Sequence, residues 1–175
     1  EALTIIRSRA PRLWVEIVAT NDISDLKRRE ADIAIRHVRP DQPDLVAKLI
    51  RDAKGYFYAS ETYLAQRKRP KTAADLLQHD FIAYGDSQAM VDYMATIDLP
   101  ITLENIPYGS TSIAAAWALA RAGLGIAAME DRIAETAPEM ERILPDHPAI
   151  SFPIWLVTHR EIHTSPRIRL VFDTL

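Results

Sequence analysis

Apolar and polar positions along this chain alternate in short runs that predict strands and helices in turn. Runs rich in β-branched and aromatic residues predict strands at 13–19, 32–36, 45–50, 55–59, 81–84, 101–106, 126–129 and 152–159. Apolar residues at helical spacing, with polar starts, predict helices at 2–10, 61–67, 110–122, 131–135 and 166–175, and one that ends at Arg29. This alternation predicts an α/β fold with mainly parallel sheets.

Local start and stop signals support several of these boundaries. Ser60 is a good N-cap for the helix that follows it, and Thr72 with Asp75 has the spacing of a capping box. Gly123 stands where a helix C-terminal stop is expected. The segment 85–99 favours neither a helical nor a strand pattern.

Composition limits the class of protein. At 175 residues with 48% apolar side chains, the chain is long enough for one domain or two small lobes with a buried core. No apolar run is long enough to span a membrane. With no cysteine, disulfides and thiolate zinc sites are excluded. The net charge of -3 argues against direct binding of nucleic acid, because domains that bind the phosphate backbone are usually basic.

The sequence offers little support for catalysis. Gly109-Ser110-Thr111-Ser112-Ile113 lacks the second glycine of a hydrolase nucleophile elbow. Gly123-Leu124-Gly125 follows a predicted helix, whereas a dinucleotide-binding loop precedes one. His159-Arg160-Glu161-Ile162-His163 lacks the Glu that directly follows the first His in zinc proteases. We therefore expect no catalytic residue, no metal and no cofactor.

Two polar turns are candidates for ligand binding. Thr20-Asn21-Asp22 and Ser110-Thr111-Ser112 each follow a predicted strand and open a predicted helix. A helix N-terminus with added hydroxyls suits a carboxylate or another small anion, and open α/β sheets bind ligands at the carboxyl ends of strands. Arg36, also at a strand end, could pair with an anion. Ordinary helix capping and a surface salt bridge are the alternative explanations.

Two further features bear on binding. Tyr84 ends its own predicted strand and could form a wall of the cleft. The helix from Ile113 to Ala122 is apolar on nearly every side, which indicates burial on more than one side. A partner subunit or the chain's own core could cover it.

Several ordered motifs resemble one protein family. The family's motifs are matched by Asp25-Leu26 with Asp32-Ile33-Ala34-Ile35-Arg36, by Ala59-Ser60-Glu61-Thr62-Tyr63-Leu64-Ala65, by Arg69-Pro70-Lys71-Thr72 with Asp75-Leu76 and His79-Asp80, by Ala122-Gly123-Leu124-Gly125-Ile126-Ala127, and by Ser165-Pro166-Arg167 with Phe172-Asp173. Together they resemble the effector-binding domain of LysR-type transcriptional regulators from end to end. Glu61 and Glu130 stand where that family commonly has Pro.

The resemblance implies a two-lobed, type 2 periplasmic-binding-protein-like fold with two crossover strands. Lobe I would comprise residues 1–54 and 159–175, and lobe II, with the crossover strands, residues 55–158. The effector cleft would lie between the lobes. The family's pocket positions fall on Thr20, Asn21, Arg36, His37, Tyr84, Ser110, Thr111 and Ser112. The family's DNA-binding winged helix-turn-helix and the first strand of lobe I have no counterpart in this chain.

The function implied is effector sensing and dimerisation in a cytoplasmic, DNA-binding regulator. The expected partners are a small anionic effector and further copies of the chain, in a homodimer or homotetramer. DNA would be contacted only through the absent N-terminal domain, and no membrane is involved. The pairing surfaces would be the helices Leu3–Ala10 and Ile113–Ala122. The alternative is a periplasmic solute-binding protein of the same fold, and an enzyme is a third, less favoured option.

Overall fold

The computed structural model describes residues 2–19 and 31–175. The chain forms two compact units, of which unit 1 comprises Glu1–Ala53 and Phe152–Leu175, and unit 2 comprises Lys54–Ser151. The chain passes from one unit to the other inside the two long strands, β2 (Leu45–Ser60) and β7 (Ile150–His159). This agrees with the two crossover strands expected from the sequence. The lobe boundaries after residues 54 and 158 stay predictions.

Unit 1 is built on helices at both ends of its sequence and on strands of one sheet, in which β7 lies between β1 (Ile33–Arg36) and β2. Helix α1 (Ala2–Arg9) lies near α7 (Pro166–Thr174), which follows the short α6 (Arg160–His163). Strand β1 (Ile33–Arg36) runs antiparallel to β7. The buried apolar side chains of this unit are Ile6, Ala53, Ile154, Leu156, Val157, Ile168 and Phe172.

Unit 2 contains the remaining elements. These are α2 (Glu61–Gln66), a 3-10 helix (Ala73–Gln78), β3 (Ile82–Tyr84), α3 (Ser87–Thr96), a second 3-10 helix (Leu103–Asn105), β4 (Tyr108–Ser110), α4 (Ile113–Arg121), β5 (Ala127–Glu130), α5 (Asp131–Ala134) and β6 (Met140–Arg142). The second half of β2 pairs antiparallel with β5 and with β6, whereas β3 and β4 pair in parallel.

Two apolar clusters stabilise unit 2. One surrounds Phe57 and Phe81, whose rings meet edge to face with 6.2 Å between centroids. The other surrounds Tyr58 and Trp117, which meet in the same way at 5.8 Å. Because Phe57 and Tyr58 are successive residues of β2, their side chains point to opposite faces of the strand and serve different clusters.

The predicted helix starts and stops are largely confirmed. Ser60 caps α2 by accepting the N–H of Tyr63 at 3.3 Å. Thr72 and Asp75 form the capping box, although the helix it opens is 3-10 rather than α. Gly123, at a φ of 83°, follows the end of α4 as predicted. The undecided segment 85–99 contains α3.

Four predictions about strands are wrong. Residues 13–19 form no strand, and no strand of the described residues pairs with them. Residues 101–106 contain a 3-10 helix in place of a strand. The two strands predicted at 45–50 and 55–59 form a single strand, β2. The sheets are not mainly parallel, since β1 with β7, β2 with β5 and β2 with β6 are antiparallel pairs, whereas β3 with β4 is parallel.

Candidate functional site

The carboxyl ends of β3 and β4 lie side by side in unit 2. The parallel register pairs Ile82 with Tyr108, Ala83 with Gly109 and Tyr84 with Ser110. Both strands leave the sheet directly after the last pair, so whatever follows Tyr84 and Ser110 lies at one edge. In open α/β sheets this edge is the usual place for a ligand. We call the segments Tyr84–Ser87 and Ser110–Ser112 the β3–β4 edge.

The first segment of the edge turns sharply from β3 into α3. Gly85 has a φ of 79°, a conformation that residues with a side chain rarely adopt, and its N–H donates to the carbonyl of Ser110 at 2.9 Å. Asp86 then caps α3 by accepting the N–H of Ala89 at 2.7 Å. The Tyr84 side chain is 45% exposed, so its ring is available at the surface of this edge.

The second segment of the edge carries three hydroxyl groups into the start of α4. The Oγ of Ser110 accepts the N–H of Ser112 at 3.0 Å, and the Oγ of Ser112 accepts the N–H of Ala115 at 3.4 Å. Each of these hydroxyls uses a lone pair toward the main chain and keeps its own proton to donate elsewhere. Ser112 is therefore both the N-cap of α4 and a donor at the edge.

The electrostatic character of the edge is mixed. The first turn of α4 presents a partial positive charge and is capped by an uncharged serine, which favours an anion there. The first turn of α3 is capped by the carboxylate of Asp86, which offsets the same partial charge with its own negative charge. The positive electrostatic potential of the edge is therefore expected at Ser110–Ser112, beside the N-terminus of α4. Sequence reasoning missed Asp86, because the segment 85–99 gave no clear pattern.

The predicted site residues of unit 1 lie at the end of β1. Arg36 is the last residue of this strand and stands opposite Trp155 in the register with β7. The His37 ring meets the edge of the Phe152 ring at 5.0 Å between centroids. Thr20 and Asn21, which were also predicted as site residues, lie outside the described residues. The structure therefore groups Tyr84 with Ser110, Thr111 and Ser112, and separately groups Arg36 with His37.

A surface cavity of about 480 Å³ in unit 2 lies beside a polar network. Asp80 donates its N–H to the Tyr63 hydroxyl at 2.9 Å, and that hydroxyl lies 3.3 Å from Nδ1 of His79. Burial raises the pKa of Tyr63 and lowers the pKa of His79. The amide of Asn105 donates to the carbonyls of Leu77 and His79. These groups form hydrogen bonds with one another, so the network connects α2 to the segments around His79 and Asn105.

The described part of the chain contains neither a cluster of metal ligands nor a membrane-spanning helix. No group of three or more His, Asp or Glu side chains within residues 2–19 and 31–175 is placed to hold a metal ion. No helix among the same residues has the length and apolarity needed to cross a bilayer.

Comparison with known proteins identifies the family. The family model of the LysR substrate binding domain matches residues 1–175, which is the whole chain. The chain belongs to the LysR substrate-binding domain family. No curated protein matches the sequence. LysR substrate-binding domains have a periplasmic-binding-protein-like fold, so the predicted fold class is confirmed.

Solved structures of LysR-type regulators share this fold. The regulatory domain of CrgA from Neisseria meningitidis superposes with a TM-score of 0.84 at 19% identity, over 98% of this chain and 86% of that one. The regulatory domain of AphB from Vibrio vulnificus gives 0.74 at 22% identity, over 99% and 88%. Full-length AphB from Vibrio cholerae gives 0.73 at 22% identity, over 99% of this chain but 60% of that protein. This LysR domain thus spans about three fifths of a full-length relative.

The family match decides between the two leading interpretations of the sequence. It favours the effector-binding domain of a LysR-type regulator over a periplasmic solute-binding protein of the same fold. The family consists of regulatory domains of transcription factors, which are not enzymes.

Proposed function

We propose that this LysR domain binds a small anionic effector and passes the signal to a DNA-binding domain of the same regulator. The observation that carries the proposal is the arrangement of Ser110 and Ser112, whose hydroxyls accept main-chain N–H groups and keep their protons for a ligand. Beside a helix N-terminus, such donors stabilise a carboxylate or similar group. Thr111 adds a third hydroxyl on the exposed side of the same turn.

The other predicted contacts extend this proposal. Tyr84 would pack its exposed ring against the apolar part of the effector. Arg36 and His37 would supply donors from the end of β1, with Arg36 able to hold a carboxylate through two parallel hydrogen bonds. Thr20 and Asn21 remain proposed contacts because they match the pocket positions of the family. No cofactor and no catalytic step are part of the proposal.

Regulation would follow from a shift between conformations. An effector that binds one arrangement of the protein more tightly than another changes their populations by its difference in affinity. The acidic balance of this domain, with a net charge of -3, leaves DNA contact to another part of the regulator. CbnR, a LysR-type relative with a TM-score of 0.64 at 16% identity, has been solved in full length with its target DNA. We also propose that the regulator acts in the cytoplasm, because it would act on DNA through the rest of the regulator.

Self-association would use α4 and α1 in a homodimer or homotetramer. Helix α4 buries Ala116, Trp117 and Ala120 in unit 2, while Ile113 and Ala118 remain exposed. Helix α1 buries Ile6 and exposes Leu3 and Ile5. Exposed apolar side chains on helices whose other face is already buried are suited to contact a second copy.

A thermal-shift screen tests effector binding. Small carboxylates and aromatic acids would be compared with neutral amides of the same shape, at constant ionic strength. A ligand present at 100 times its dissociation constant stabilises the folded state by about 2.7 kcal/mol. We expect at least one acid to raise the melting temperature while its amide does not. If the amides stabilise the protein as well as the acids do, the anionic character of the effector is wrong.

A further inference from the structure

Two arginines of unit 1, Arg36 and Arg39, lie near Trp155. Arg36 and Trp155 are direct partners in the antiparallel register of β1 and β7, so their side chains project from the same face of the strand pair. Arg39 follows three residues later, and its guanidinium carbon lies 5.5 Å from the centroid of the Trp155 ring. Arg39 makes no ion pair with any residue that the structure describes.

The indole N–H of Trp155 has no hydrogen-bond acceptor among the described residues. Its Nε1 atom is buried. Buried indole N–H groups normally have a partner, because an unpaired donor loses its hydrogen bonds to water and gains none in the protein. The Arg39 guanidinium lies over the ring and cannot serve, since a guanidinium has donors only.

The donors of Arg39 and Trp155 favour an oxygen-rich anion, and Arg36 lies on the same face of the strand pair. The Arg39 guanidinium and the Trp155 indole N–H are both donors, and neither can accept from the other. A carboxylate offers two oxygens with about four lone-pair directions, enough to accept from the indole and from a guanidinium at once. The cation–π contact between Arg39 and Trp155 would hold the cation near the ring and pre-organise the pair.

We propose that Arg36, Arg39 and Trp155 form an oxyanion site that takes a carboxylate group, with the Trp155 N–H donating to one oxygen. This deepens the proposed function, because Arg36 is one of the proposed effector contacts. It adds two residues, Arg39 and Trp155, that no pattern in the sequence marked as ligand-binding. All three side chains belong to unit 1, so the site is defined without reference to the β3–β4 edge.

The indole N–H resonances provide the test. The chain has three tryptophans, and Trp155→Phe identifies the Trp155 signal in a nitrogen–proton correlation spectrum. Sodium acetate is added while sodium chloride keeps the ionic strength constant. We expect the Trp155 signal to move downfield and saturate, while the Trp117 signal stays in place. Arg39→Gln should weaken the apparent affinity by roughly tenfold or more, as expected for a lost charged hydrogen bond.

Two controls keep the result interpretable. Arg167→Gln, an equal loss of charge at an exposed position on α7, should leave the acetate response unchanged. Arg39→Lys keeps the charge but loses the planar fork, and should bind acetate more weakly than the wild type. A Trp155 signal that stays in place, moves without saturation, or responds equally in Arg39→Gln would overturn the proposal.

The two proposals fail separately. If the Trp155 signal responds as expected but removal of the Ser110 hydroxyl leaves the affinity for an effector unchanged, only the assignment of the β3–β4 edge is wrong. If the Ser110 variant loses effector affinity and acetate leaves the Trp155 signal unchanged, only the oxyanion site is wrong.

Discussion

The N–H of Gly85 donates to the carbonyl of Ser110 across the ends of β3 and β4, with 2.9 Å between nitrogen and oxygen. This hydrogen bond joins the turn into α3 to the turn into α4, and it depends on the φ of 79° at Gly85. Gly85 therefore helps to position the two segments of the proposed effector edge, together with the parallel pairing of β3 and β4.

Gly85→Ala should destabilise the domain through the main chain alone. A Cβ at this position would meet no atom within 4 Å, so the cost comes from the left-handed conformation. We expect a loss of about 1 kcal/mol in the free energy of unfolding by urea, and a smaller loss for Gly85→Asn, since Asn tolerates this conformation better. A Gly85→Ala protein as stable as the wild type would show that the turn is not strained.

Gly125→Ala should be more damaging than Gly85→Ala, for a different reason. A Cβ at Gly125 would lie 2.7 Å from the carbonyl oxygen of Asp80, and that same oxygen accepts the N–H of Ile126 at 2.8 Å. We expect the free energy of unfolding to fall by about 1–3 kcal/mol, as for an overpacked core. The matched control is Gly109→Ala, whose Cβ would meet Ala83 at an ordinary 3.5 Å. Equal effects of the two substitutions would contradict the contact.

His79 should make the stability of the domain depend on pH. Burial lowers its pKa in the folded state, while the hydrogen bond to the main chain of Lys68 partly opposes this. The unfolded state therefore binds more protons as the pH falls below about 6.5, and the folded state loses stability in that direction. Above that pH the ring is neutral in both states, and its contribution is constant.

Urea unfolding at a series of pH values measures this effect. The slope of stability against pH below about 6.5 should be smaller in His79→Gln than in the wild type, whatever the absolute stability of the variant. Identical slopes in the two proteins would exclude His79 as the source.

Sequence patterns predicted most helices because their caps are local. The side chains of Ser60, Thr72 and Ser112 accept main-chain N–H groups three residues further along, and such signals need no distant partner. The pairing of Tyr84 with Ser110 follows in part from the same logic, since both end strands that lead into helices. The grouping of Arg39 with Trp155 could not be predicted, because it depends on the register between strands far apart in sequence.

The failed strand predictions have physical causes. Residues 13–19 have a strand-like composition, but a strand exists only when paired. Trp14 and Ile17 are 79% and 72% exposed, in a segment without a partner strand among the described residues. Residues 101–106 alternate correctly, yet the N–H of Asn105 donates to the carbonyl of Thr102 at 3.0 Å and closes a 3-10 turn. The side-chain oxygen of Asn105 accepts the N–H of Thr102 in return. Tertiary hydrogen bonds of Asn105 to Leu77 and His79 favour that turn over a strand.

The prediction of two strands at 45–50 and 55–59 was wrong because β2 continues through the residues between them. The charged residues Arg51, Asp52 and Lys54 lie between the two strands predicted from the sequence. In the structure the strand continues through it, with Ala53 buried between charged neighbours. Alternation in a strand allows charged side chains to face away while the residue between them packs inward.

A charge on α4 should disrupt the proposed pairing of subunits. Ala118 is exposed on α4, so an arginine there would fit the monomer but would bring an unpaired charge into a contact with a second copy. We expect Ala118→Arg to be monomeric by light scattering, while Ala95→Arg on the exposed side of α3 keeps the wild-type mass. If Ala118→Arg has the same mass as the wild type, α4 is not the interface.

The affinity of an effector for hydroxyl-deleted variants tests the central claim most directly. An acid found by thermal shift would be titrated calorimetrically into the wild type, Ser110→Ala and Thr111→Ala. Thr96→Ala, which removes a hydroxyl from the far end of α3, is the matched control. We predict that Ser110→Ala and Thr111→Ala weaken binding by roughly tenfold or more, as for hydrogen bonds to a charged group, and that the control does not. Unchanged affinity in both hydroxyl variants would contradict the assignment of the effector site to the β3–β4 edge.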